Sequence, residues 1–72
     1  MHLSMLSETI RRRRAVLLVT QETLAELSGV SLRTVKQFES GKGNPTLGTL
    51  VKLTDVLGLE VSLTVKQAGG GQ

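Results

Sequence analysis

The chain has 72 residues, no cysteine, one aromatic residue and a formal net charge of +3. That is room for one small domain without a disulfide staple or a thiolate metal site. A chain of this size buries only about 60% of its unfolded surface, so a second subunit is the usual remaining support. The mild positive charge favours a polyanionic partner without identifying one, and Phe38 alone makes no platform for stacking bases.

The first helix is predicted from about Ser4 to Leu17. At about 100° per residue, Leu3, Leu6, Ile10 and Leu17 gather on one stripe. The run Arg11-Arg12-Arg13-Arg14 divides on the same wheel. Arg11 and Arg12 fall on the solvent side, and Arg13 and Arg14 flank the stripe. Thr20 is a good N-cap for a second helix with Leu24, Ala25 and Leu27 inward. Ser31 caps a third helix that ends near Gly41. Residues 40–46 form a loop by composition. Pro45 or Thr46 opens a fourth helix with Leu47, Leu50, Val51, Leu53 and Leu57 inward, and Gly58 stops it.

After Gly58 the period changes. Leu59, Val61, Leu63 and Val65 alternate with Glu60, Ser62, Thr64 and Lys66, which is a strand pattern. No second strand is predicted, and one strand cannot satisfy its own backbone. Antiparallel pairing with its own copy about a two-fold axis would bury both apolar rows, so a homodimer is expected; a different protein partner is the alternative. The layout is residues 1–58 as a helical domain, 59–66 as the dimerisation strand and 67–72 as a disordered tail.

Residues 20–41 carry the functional signal. Counting from Gln21, the fifth position is Ala25, the ninth Gly29, the fifteenth Val35 and the eighteenth Phe38. A small fifth residue lets two helices cross closely, and a ninth glycine supplies the positive φ of a tight turn. Val35 and Phe38 turn one side of the third helix inward. This is the helix-turn-helix spacing, whose second helix enters the major groove. The outward side holds Arg33, Lys36 and Gln37, with Leu32 at its margin. Arginine or lysine can donate to guanine, glutamine can pair with adenine, and leucine can touch a thymine methyl. Thr20 and Gln21 begin the second helix, where the positive dipole end favours a phosphate. Thr20, Ser31, Lys42 and Asn44 are the candidate phosphate contacts, and Gln21 joins the base-contact set. Arg14 and Glu39 both lie beside apolar stripes, where an Arg–carboxylate bridge would lock the angle of the reading helix.

From Ile10 to Leu59 the sequence resembles the Xre/Cro-like family of phage-repressor helix-turn-helix proteins. The matching elements are Arg14, Thr20-Gln21, Leu24-Ala25, Gly29-Val30-Ser31, Val35, Glu39-Ser40-Gly41-Lys42, Asn44-Pro45-Thr46 and Leu57-Gly58-Leu59. The resemblance implies an all-α fold: a small four-helix lambda-repressor-like domain, here with one C-terminal β-strand, working as a dimer on a near-palindromic operator. It also implies the Arg14–Glu39 bridge and base contacts at Gln21, Leu32, Arg33 and Gln37. The tail resembles that of HipB-type antitoxins, which implies an autoregulating repressor partnered by a HipA-like kinase toxin. A stand-alone Xre-type regulator and a protein-interaction adaptor are the alternatives. Two positions depart from the pattern: Leu18 stands where the family has glycine, and Arg13 where it has a hydrophobe. The first helix is therefore expected to end differently.

An enzyme is not expected. His2 is the single histidine, and the six carboxylates form no recognisable acid–base pair. Gly41-Lys42-Gly43 lacks the spacing and the following Ser or Thr of a phosphate loop. Neither metal, cofactor nor small-molecule substrate is implied. No stretch approaches the roughly 18 apolar residues of a membrane span, and the first residues do not read as a signal peptide. The expected location is the cytoplasm, on the nucleoid.

Overall fold

The computed structural model describes residues 3–63 and 65. Four helices follow in order: α1 Leu3–Val16, α2 Gln21–Ser28, α3 Leu32–Glu39 and α4 Leu47–Val56. One local device starts three of them. Thr20, Ser31 and Thr46 hold extended backbone, and each side-chain oxygen accepts the N–H three residues on, from Thr23, Thr34 and Thr49. Each capping hydroxyl also donates to the hydroxyl of that same threonine, at 2.9, 2.8 and 3.1 Å. A cap of this kind contributes about 1 kcal/mol.

The helix ends share a device too. After α3 and α4 the amides of Lys42 and Leu59 reach back to Gln37 O and Thr54 O, across Gly41 and Gly58. At the end of α1, Val19 N–H bonds Arg14 O at 2.9 Å and Leu18 N–H bonds Ala15 O at 3.1 Å. This is the same reverse-turn cap, with Leu18 in the position that glycine fills elsewhere. Leu18 accordingly has φ +57°, the one positive φ outside glycine among the described residues. The departure from the family pattern leaves the cap intact and places strain in it.

Ile10, Leu24, Ala25, Val35, Phe38, Leu53 and Leu57 form the core, with α2 packed on α3 and α4, and α1 on α3. Several expected core residues lie outside it. Leu27 is 64% exposed, and Leu17, Leu47 and Val51 are exposed as well. Short helices bury an arc only about 100° wide. In α2 that arc runs from Leu24 to Ala25, and Leu27 falls beyond its far edge. In α4 it holds Leu53 and Thr54, followed by the C-cap residue Leu57; the Thr54 hydroxyl donates to Val51 O at 3.0 Å, while Val51 points away. Leu47 sits on the first turn of α4, at the edge of the contact. Leu17 follows the last turn of α1, so the helical phase no longer aims it inward.

The arginine run ties α1 to the rest of the molecule. Arg11 Nη1 donates to Glu39 O, at the end of α3, at 2.8 Å. Arg13 Nε donates to Leu57 O, at the end of α4, at 2.8 Å. Arg14 Nη1 donates to Val19 O at 3.0 Å. Cations are favourable at helix C-termini, where carbonyls lack helical partners. Arg11 is thus more than the solvated residue its place on the wheel indicates. Arg12 does lie in solvent, in an exposed pair with Glu8.

The described residues contain no strand. Leu59 and Val61 are half-buried beside α1 and α4, whereas Leu63 and Val65 are 95% and 93% exposed. A ladder needs a partner backbone, and among its described residues the single chain offers none. The expected strand and tail extend to Thr64 and to residues 66–72, which lie outside the described residues.

Candidate nucleic-acid interface

Gly29 ends α2 with φ +76°, and its N–H bonds Ala25 O at 3.0 Å. A Cβ built there would touch nothing within 4 Å, so the requirement is for the left-handed backbone and not for space. Two residues on, Ser31 caps α3. Val35 and Phe38 are fully buried, which leaves Arg33, Lys36 and Gln37 exposed on the opposite side. Arg33 and Lys36 have no hydrogen bond or ion pair from their side chains to the described residues, and the same holds for Lys42. Leu32 is half-buried and packs partly against the core, so only its outer edge is free.

The far end of α3 is fixed by Glu39, which is 3% exposed. Arg14 grips its carboxylate with both arms: Nε to Oε2 at 2.8 Å and Nη2 to Oε1 at 2.7 Å. Gln21 Nε2 adds a third donor, to Oε1 at 3.0 Å. The hydrogen bond to Glu39, with attraction to Glu39 and Glu22, raises the Arg14 pKa above the ordinary arginine value against the lowering effect of burial. One carboxylate therefore joins α1, the start of α2 and the end of α3. The amide of Gln21, expected to reach a base, is directed to this carboxylate.

Beyond α3, Lys42, Asn44, Gln37, Thr34, Thr46 and Thr49, with Phe38 and Pro45, line a cleft of about 240 Å³ at the start of α4. Lys42 and Asn44 are exposed there. Thr20 and Ser31 are engaged as helix caps, with oxygen accepting and hydroxyl donating. The helix-turn-helix family profile matches residues 10–63. The chain belongs to the Xre/Cro-like helix-turn-helix family. It is also similar to the cryptic phage CTXphi transcriptional repressor RstR of Vibrio cholerae serotype O1, with 36% identity over 56 residues, covering 78% of this chain and 50% of that repressor. The chain thus spans about half the length of the curated relative it matches.

In this helix-turn-helix the charge is distributed by use. Arg11, Arg13 and Arg14 bond carbonyls and a carboxylate inside the fold, and Arg12 is paired on the surface. Arg33, Lys36 and Lys42 keep their charge unpartnered on α3 and the loop after it. The only buried carboxylate among the described residues, Glu39, is matched by Arg14, so it adds no net repulsion there. Sequence reasoning missed the roles of Arg11 and Arg13, and Thr34 and Thr49 of the cleft. The repeated Ser/Thr-x-x-Thr spacing is a usable signal for Thr34 and Thr49; nothing local in the sequence marks the two arginines. Among the described residues no group of His, Cys, Asp and Glu is arranged to hold a metal, and no helix is long and apolar enough to cross a membrane.

Proposed function

We propose that the chain is a sequence-specific repressor that lays α3 in the major groove of operator DNA and works as a homodimer in the cytoplasm, on the nucleoid. The supporting observation is the pairing of two features. Arg33, Lys36 and Gln37 are exposed on one side of α3, and the other side is anchored through Val35, Phe38 and the Glu39 bridge. Base edges are read by Arg33, Lys36 and Gln37 with the free edge of Leu32. Lys42 and Asn44, with the capped starts of α2 and α3 at Thr20 and Ser31, meet phosphates and set the register. Gln21 acts mainly through Glu39. Two copies related by a two-fold axis present their α3 helices about 34 Å apart to a near-palindromic site.

Selection against a random duplex library tests this reading. The expected result is a two-fold symmetric consensus; a folded protein that selects no sequence would favour an interaction adaptor. The similarity to a phage repressor supports a stand-alone regulator. The antitoxin reading, with a HipA-like kinase partner, rests on the alternating tail alone and ranks second.

A further inference from the structure

We propose that Gly43 is a positioning residue for sequence specificity: it forms the wall beside Gln37 and sets the directions that the Gln37 amide can take toward DNA. This rests on the repressor reading above and deepens it. Gln37 is the outward residue of α3 that also lines the cleft beside the loop. Its main-chain carbonyl accepts two groups of the turn that follows, Lys42 N–H at 3.0 Å and the Ser40 hydroxyl at 2.7 Å. These bonds fold the loop back along the last turn of α3, and the chain at residue 43 passes alongside the Gln37 side chain. A Cβ placed on Gly43 would lie 3.7 Å from Gln37 Cβ and 3.9 Å from Gln37 Oε1, in van der Waals contact with both root and tip of that side chain.

The Gln37 amide makes no hydrogen bond to the described residues, so packing is what directs it. A glutamine reads adenine only when its oxygen and nitrogen face N6 and N7 together. Its terminal torsion is broad and roughly two-fold, and so is easily biased by a neighbour. A methyl group at residue 43 fills one side of the space in which the amide turns, closing some directions and leaving others. Phosphate contacts carry no sequence information of their own. Gly43, between Lys42 and Asn44 in the loop, therefore acts on sequence only through Gln37. Gly41 supplies a matched control. Its φ is +79° against +84° at Gly43, but a Cβ there would meet nothing within 4 Å. Alanine at either position carries the left-handed backbone penalty, and only alanine at residue 43 meets Gln37.

Selection from a random duplex library, run on the parent and its variants, tests this. Gln37→Ala identifies the base pair that Gln37 reads. Gly43→Ala should change the preference at that base pair by about fivefold or more, leave the other positions as in the parent, and have no further effect in a Gln37→Ala background. Gly41→Ala should lower the thermal midpoint about as much and keep every preference. Gly43→Asn, whose side chain tolerates a positive φ, should alter the same base pair. Variants at residue 43 that fold and keep the parent's preferences would overturn the proposal. So would a change that persists without Gln37, or one that Gly41→Ala reproduces; each of these leaves the repressor reading standing. A folded parent that selects no sequence would overturn both.

Discussion

Leu18 is 90% exposed and holds φ +57°, so its side chain gains little from burial while its backbone occupies a region costly for any residue with a Cβ. Leu18→Gly should therefore stabilise the domain by about 0.5–1 kcal/mol, read as a rise in thermal midpoint of several degrees. An unchanged or lower midpoint would show that Leu18 makes a compensating contact. Glu39 poses the opposite case. Glu39→Gln leaves the Arg14 guanidinium facing a neutral amide in a largely enclosed site, with an expected loss of about 2 kcal/mol measured by chemical denaturation. The raised Arg14 pKa sets the pH behaviour on the arginine side. Its contribution is complete below the ordinary arginine value and is lost only as pH rises through the raised one, so neutral solutions leave it intact. Arg33 makes no side-chain hydrogen bond or ion pair among the described residues, and the proposed function places it on DNA. Arg33→Ala should leave stability unchanged, cost about 1–3 kcal/mol of operator binding and relax one operator position; binding titrations against the selected site and its single-base variants check this.

At the scale of elements, the parts written locally were legible in the sequence. Thr20, Ser31 and Thr46 cap helices because their side chains reach a backbone three residues away, and Gly29 turns the chain because of its own φ. Gly29→Ala keeps ample room yet must adopt φ near +76°, so a loss of about 1 kcal/mol is expected from backbone strain alone. A loss several times larger, seen in denaturant unfolding, would point to a contact that the open surroundings of Gly29 do not offer. The inward arc of a short helix was less legible, as Leu27 and Val51 illustrate, because it depends on which neighbour arrives and not on hydrophobicity. Arg11 and Arg13 were illegible for a related reason. Their acceptors are main-chain carbonyls 28 and 44 residues away, and every residue type supplies a carbonyl. For Gln21 the spacing told which helix it starts but not that its amide donates to Glu39. For the outer side of α3, the buried Val35 and Phe38 were enough to place Arg33, Lys36 and Gln37 outside.

For the whole molecule, formal charge overstates what is free to meet DNA. Of the nine cationic residues, four are held in the Arg11–Arg14 run, and Arg33, Lys36 and Lys42 stand unpartnered on α3 and its loop. If each copy of the dimer neutralises about three phosphates, the logarithm of operator affinity should fall against the logarithm of salt with a slope of about −5. A slope of about −3 would mean that only one copy engages. Homodimer formation has its own signature, a thermal midpoint that rises with protein concentration.

The arginine anchors also bear on how the domain is born. Helix α1, which leaves the ribosome before α2, α3 and α4, grips carbonyls of Glu39 and Leu57, made 28 and 44 residues after its own Arg11 and Arg13. Until Leu57 emerges, both the final anchor and a fully enclosed core leucine are missing. Nascent chains stalled before that point should be readily digested by protease, and those released beyond it should resist.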